Sequence, residues 1–432
     1  MPDRVFHRAA DRPLAVLAEG STIVTEDGRR ILDGAGGAIA CSIGHARAEV
    51  VAAMTAQAAA VEYVHATQFE TPVLGRFAHS VAELAPVDEA RVFPVSGGSE
   101  ANESAIKLAR SYHLARGDTE RHVVLARAGS YHGNSRGALD ASDRATVADG
   151  YEPWLGLTVR VPAANPYRDD RTGEQHAAEI DRIIRETGSD RVAAMIAEPV
   201  SGATLGAVVP PPDYWPAVAQ VLQRHGVLLI ADEVMTGFGR TGRWFGIDHW
   251  GVRPDIVTCG KGASSGYWPL GLCIASGEVH DAVETAGNFS HGFTWSHHPV
   301  GAAVGEAVLA VMREEQLVER ARALGERCRA RLGELLGEHP NVGDIRGIGL
   351  LNAIELVADR TTKQPFDRER QVFAAVVAAA FEGGLTTYPC NSCVDGYSGD
   401  AVLLGPPLSV SETDLDEMVD RLAAAVHRVL PS

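Results

Sequence analysis

Two short apolar runs between Gly226 and Gly271 each end in a charged residue. The first is Val227-Leu228-Leu229-Ile230-Ala231, followed by Asp232-Glu233. The second is Asp255-Ile256-Val257-Thr258-Cys259, followed by Gly260-Lys261-Gly262. Runs this short and continuously apolar, bounded by turn residues, predict parallel strands covered on both faces. Sheets of that kind bind ligands beyond the carboxyl ends of their strands. The expectation is an α/β fold in which a carboxylate and an amine converge on one site.

Lysine usage sharpens this. Among 39 basic side chains only Lys107, Lys261 and Lys363 are lysine. Lys107 lies in a helix-like run and Lys363 in an exposed-loop composition. Lys261 alone follows a buried strand, between glycines that let a ligand approach the backbone. The bland reading of Lys261 is a solvated turn residue. Paired with Asp232, however, it suits pyridoxal 5′-phosphate (PLP), which needs an amine for a Schiff base and an acid to keep the pyridine nitrogen protonated.

Composition narrows the partners. A chain of 432 residues has length for about two or three domains and a sizeable core. A net charge of −17 without a basic block argues against nucleic acid and anionic membrane. Residues Met1 to Leu17 lack an apolar signal core, and no run reaches membrane-spanning length, so a cytoplasmic location is expected. Cys41, Cys259, Cys273, Cys328, Cys390 and Cys393 are scattered, unlike a disulfide framework. Cys390 and Cys393 form a lone C-x-x-C in a loop, a poor setting for zinc or redox chemistry. No metal is expected.

Along the chain, Thr22-Ile23-Val24 and Arg30-Ile31-Leu32 flank Asp27-Gly28, a hairpin signal. Helical patterns cover 47–64 and 77–84. The strand Arg91–Val95 breaks into Ser96-Gly97-Gly98-Ser99 before a helix, a combination that presents N–H groups to an anion. The strand from Val123 leads to Tyr131-His132, where an aromatic can stack on a flat ring or simply fill core. The strand Val192–Ala197 ends at Glu198. A Gly-, His- and aromatic-rich loop runs from Asn288 to Pro299 and includes Thr294. A long helix is expected from Pro299 to Glu338, then an alternating terminal region: strand 350–356, helix 368–382, strand 401–404, helix 412–430. Two motif matches mislead. Gly237 to Gly242 is a literal G-x-G-x-x-G, but it neither leaves its strand directly nor opens a helix, so a nicotinamide site is disfavoured. Gly262 to Gly266 matches a nucleophile elbow, yet Pro269 forbids the helix that must follow.

In order and spacing these residues resemble the class III aminotransferases, PLP enzymes of fold type I, over roughly residues 20 to 425. Asp232-Glu233-Val234 with Gly237 to Gly242, then Lys261, carry the most specific likeness. The resemblance implies a large domain with a mostly parallel seven-stranded sheet and a small α+β domain from both termini: residues 46–320 for the large one, 1–45 with 321–432 for the small. It implies Lys261 as Schiff-base lysine and proton shuttle, and Asp232 as partner of the pyridinium nitrogen. Val234 and Tyr131 then cover the two ring faces, with His132 and Glu198 beside them. Gly97, Gly98 and Ser99 hold the phosphate, and Thr294 resembles a phosphate ligand donated by the partner subunit. A homodimer with shared sites follows, alone or as a dimer of dimers. The implied reaction moves an amino group from an amine or ω-amino donor to a keto acid, aldehyde or ketone, by way of pyridoxamine phosphate. An aminomutase or decarboxylase on the same scaffold, or a PLP-binding protein without turnover, are the alternatives.

Three departures bear on specificity. Met235 stands where many members have a glutamine that bonds the cofactor's phenol oxygen. Ile39 occupies a position that often carries an aromatic pocket residue, which implies a wider pocket. No arginine or lysine occurs from Gln371 to Asp420, where many members keep a carboxylate-binding arginine. Without that arginine, Glu198 is expected to stand unpaired near the ring and to favour a distal amine over a second carboxylate.

Overall fold

The computed structural model describes residues 5–6, 12–287 and 289–431. Residues 1–4 and 7–11 of the expected small-domain segment, and Asn288 at the head of the aromatic loop, lie outside the described residues.

Strands β1 (Ala15–Glu19), β2 (Thr22–Thr25) and β3 (Arg30–Asp33) form an antiparallel meander, with the predicted hairpin between β2 and β3. The central strands are β4 (Arg91–Val95), β5 (Val123–Arg127), β6 (Thr158–Val161), β7 (Val192–Ala197), β8 (Leu228–Asp232), β9 (Ile256–Cys259) and β10 (Gly271–Ala275). They make one seven-stranded sheet in the order β4-β10-β9-β8-β7-β5-β6. All neighbours are parallel except β10, which runs antiparallel to both β4 and β9. Towards the carboxyl terminus follow β11 (Val342–Ile348), β12 (Leu351–Leu356), β13 (Leu385–Thr386), β14 (Tyr388–Cys390) and β15 (Asp400–Leu404). β13 joins β3 in parallel, and the other four form a sheet in the order β11-β12-β15-β14.

The central sheet explains its own sequence. Side chains alternate across a strand, so a sheet covered on both faces needs apolar residues at every position. Leu229 and Ala231 pack into one core cluster while Leu228 and Ile230 pack into another on the opposite face. The same split separates Met195 from Ala194 and Ile196, and Val257 from Ile256. Every residue of β7, β8 and β9 is buried. In this register Asp232 sits level with Thr258, so β9 carries the chain just past it to Lys261.

Two helix expectations need correction. Pro299 to Glu338 is two helices, Pro299–Glu314 and Leu317–Leu336, because Gln316 adopts φ 50°, outside the helical region. The helix expected from Arg368 begins at Val372, after a short 3-10 turn and Gln371 at φ 45°.

Candidate active site

Beyond the carboxyl ends of β4, β5, β7, β8 and β9 lies a cavity of about 190 Å³. Gly98, Ser99, Tyr131, His132, Glu198, Asp232, Val234 and Lys261 line it, joined by Gly133, Gly202, Ala203 and Met235. A larger hollow, of about 790 Å³, runs along β4 past Arg91, Cys273 and His297. It contains none of the strand-end residues, so volume alone does not locate the chemistry.

Lys261 follows Gly260 into a 3-10 turn and takes φ 41°, an uncommon conformation for a non-glycine residue. Burial pulls its ammonium pKa down from 10.5 to about 8, against the pull of Asp232 and Glu198 in the other direction. Asp232 is 3% exposed, which a carboxylate tolerates only with partners. It has three. Oδ2 accepts from Asn102 Nδ2 at 2.8 Å and from His132 Nδ1 at 2.6 Å, and Oδ1 accepts from the Val234 N–H at 3.0 Å. Asn102 is itself clamped. Its amide also donates to the His132 carbonyl at 2.6 Å, and its oxygen accepts from Thr258 Oγ1 at 2.6 Å.

Opposite stands the amino end of the helix Gly98–Ala115, with Gly97 at its N-cap. N–H groups there lack intrahelical partners and favour anions. A Cβ on Gly98 would fall 2.8 Å from Val234 Cγ1, so only glycine lets the helix end approach Val234 this closely. Gly133, at φ 140°, similarly packs its α-carbon against Ser99, whose Oγ accepts from the Asn134 N–H at 3.2 Å. Glu198 is buried and its pKa is raised by that burial. Its Oε1 accepts from the Tyr131 N–H at 2.9 Å and its Oε2 from the Gly202 N–H at 2.7 Å. Arg127 donates to the backbone carbonyl of Glu198, not to its carboxylate. Among the described residues the carboxylate thus makes no hydrogen bond to an arginine and is satisfied by backbone.

Gly97 abuts the cavity through Gly98 without lining it. Thr294 lies away from its own chain's cavity; it is exposed, and its carbonyl accepts from Tyr63 Oη at 3.0 Å. Ile39 is not in the wall. It is 2% exposed in an apolar cluster with Val200, Leu351 and Cys390, so the wider pocket inferred from it has no support here. Cys390 and Cys393 belong to the same cluster, and burial raises both thiol pKa values. Gly237 to Gly242 opens no helix. Asn102 and Thr258 escaped the sequence reading. The available signal was an asparagine one turn inside a helix, where it is a poor former and needs another reason to be present.

The donors fit PLP: a buried amine, an acid held by three partners, a helix end for a phosphate, and Val234 and Tyr131 as walls for a ring. Comparison with known proteins agrees. Residues 7–426 match the family model for class III aminotransferases. The chain belongs to the class III aminotransferases. This aminotransferase shares 38% identity and a TM-score of 0.91 with an (S)-enantioselective omega-transaminase from Thermomicrobium roseum, over 98% of this chain and 93% of that one. An amine transaminase from an uncultivated Pseudomonas species, solved in its PLP-bound form, superposes with a TM-score of 0.93 at 33% identity over 99% of both chains. The putrescine–pyruvate aminotransferase of Pseudomonas aeruginosa is 34% identical over 95% of this chain and 91% of its own length. The aminotransferase has the fold type I architecture, depends on PLP and catalyses transamination.

Proposed function

We propose that this transaminase takes its amino group from a primary amine or diamine whose reacting carbon bears no carboxylate, and passes it to a small keto acid such as pyruvate. The observation that carries the donor side is Glu198, a buried carboxyl group in the cavity wall whose oxygens accept from backbone N–H groups and, among the described residues, from no arginine. A donor with a second carboxylate, such as glutamate or aspartate, would set like charges together at low dielectric, whereas a distal ammonium would be attracted. The putrescine–pyruvate relative is consistent with both choices.

When bound, PLP supplies an electron-withdrawing ring that stabilises negative charge on the substrate carbon. The chain's residues do the rest. Lys261 holds the cofactor covalently, then takes and returns the proton at the substrate's amine-bearing carbon, a task suited to an amine whose pKa lies at about 8. Asp232, fixed by Asn102 and His132, holds a proton on the pyridine nitrogen. Val234 and Tyr131 would enclose the ring, and Met235, which lines the cavity, has no hydrogen-bond donor to offer the cofactor. Gly97, Gly98 and Ser99 take the phosphate.

Thr294 of the partner subunit completes that phosphate site in a homodimer, a reading supported by its exposure away from its own cavity. The break at Gln316 favours a domain division there, a few residues ahead of position 320, with residues 1–45 returning to the carboxyl-terminal part through β3 and β13. Among the described residues no helix is long and apolar enough to cross a membrane, and the cysteines are free and buried. Both fit a cytoplasmic enzyme.

Donor profiling tests the substrate choice. Single-turnover bleaching of the bound cofactor should be at least about ten-fold faster with putrescine or a similar primary amine than with glutamate or aspartate. Glutamate as best donor, with the ranking unchanged in Glu198→Ala, would reject it.

A further inference from the structure

We propose that Arg144 is the carboxylate anchor of this active site, its guanidinium taking the carboxylate of the acceptor beside the ring of Tyr131. This assignment rests on the keto-acid acceptor proposed above. The cavity already holds the carboxyl groups of Asp232 and Glu198, so a ligand that brings another needs a cation besides the Lys261 amine. From Gln371 to Asp420 there is none. Arg127 spends its guanidinium on the Glu198 carbonyl and on Ser201 Oγ, the latter at 3.2 Å. Arg240 is 2% exposed, and its Nη1 is pinned to the carbonyls of Leu350 and Pro406. Arg127 Nε and Arg240 Nη2 are also unpartnered, but each of these guanidinium groups is already fixed by backbone carbonyls.

Arg144 is placed differently. Its Cζ lies 6.0 Å from the centre of the Tyr131 ring, which walls the cavity. Its Nε is buried without a hydrogen-bond partner, and the guanidinium otherwise meets the Tyr388 phenol and, 3.4 Å from Nη2, Asn391 Oδ1. Among the described residues no carboxylate pairs with it. An orphaned guanidinium donor costs stability unless something fills it, and Nε with Nη2 forms the two-pronged pair that a carboxylate matches; Arg144 lies beside Tyr131 rather than in the cavity lining itself.

Both neighbouring parts of the fold hold the group in place. Asp143 ties the preceding residue to the end of β5: its N–H donates to the Ser130 carbonyl at 2.8 Å and its Oδ2 accepts from the Gly129 N–H at 2.9 Å. From the carboxyl-terminal part come Asn391 and Tyr388, whose phenol also faces the guanidinium. The stretch that carries no arginine of its own thus supplies the side chains that orient one.

The test uses holoenzyme and two probes. Propionate, which cannot react, is titrated against the visible spectrum of the bound cofactor. Pyruvate and butyraldehyde, acceptors with and without a carboxylate, are compared by kcat/KM. In Arg144→Gln the propionate Kd should rise about ten-fold or more, and the pyruvate-to-butyraldehyde ratio should fall as far. Arg144→Lys should recover part of both. The assignment is overturned if folded Arg144→Gln binds propionate within two-fold of wild type. Equal losses on both acceptors, or a propionate defect found in Arg240→Gln instead, overturn it too. Should the wild type refuse pyruvate, the acceptor is wrong, and propionate still decides Arg144.

Discussion

An amine with its pKa at about 8 is unprotonated in roughly one molecule in ten near pH 7, against fewer than one in a thousand for an ordinary lysine. Lys261 should therefore capture PLP at neutral pH unaided. Stopped-flow mixing of apoenzyme with PLP should show a rate that climbs with pH and levels near 8; levelling near 10.5 would deny the shift. Borohydride reduction should then label the Lys261 peptide alone, because Lys107 and Lys363 spend their amines on the carbonyls of Ser290 and Tyr167. Asp232→Asn removes the charge but keeps the shape, so the folded, PLP-loaded variant should lose turnover by orders of magnitude, each factor of ten being about 1.4 kcal/mol of barrier. Near wild-type turnover would remove Asp232 from its role. Both residues were readable in the sequence because each breaks an apolar run at a strand end. Asn102 and Thr258 were not, since their meaning lies in a hydrogen-bond chain between a helix and a strand distant in sequence. Ile39 misled for a related reason: its burial under Gly405 and beside Cys390 depends on the far end of the chain.

The close approach of the helix Gly98–Ala115 to β8 sets the cradle, and Val234 is where the two meet. Gly98→Ala should push the helix end back, weakening PLP binding by about ten-fold or more, as overpacking by a methyl costs about 1–3 kcal/mol. Val234→Ala in the same chain should restore part of the affinity. Equilibrium dialysis of PLP against the single and double variants measures this; an unaffected Gly98→Ala would show that the helix end is not the binding element. Strands covered on both faces, β7 to β10, announced themselves by unbroken apolar runs. β6 and β11 did not. β6 is a four-residue edge strand containing Arg160, and β11, Val-Gly-Asp-Ile-Arg-Gly-Ile, is mostly half-buried and interrupted by glycines. The helix Tyr214–His225 was masked by Pro210, Pro211, Pro212 and Pro216, although proline is tolerated in a first turn.

For the molecule as a whole, the proposed sharing of Thr294 between subunits makes each active site a product of two chains. Mixing inactive Lys261→Ala and Thr294→Ala protomers should return activity, since one site of each mixed dimer carries both lesions and the other neither. No recovery after proven subunit exchange would place Thr294 outside the site. A different consequence follows from the parallel pairing of β3 with β13, which sets Asp33 beside Thr386 across 353 residues of chain. During synthesis the free edge of the meander emerges early and its partner strand late. At about 5–20 residues per second the ribosome needs roughly 20–70 s to deliver that partner. For that interval the β3 edge offers unpaired backbone to any passing strand. The nascent chain is therefore most exposed to misassociation at its beginning, and a chaperone acting on the first fifty residues would have the longest service to perform.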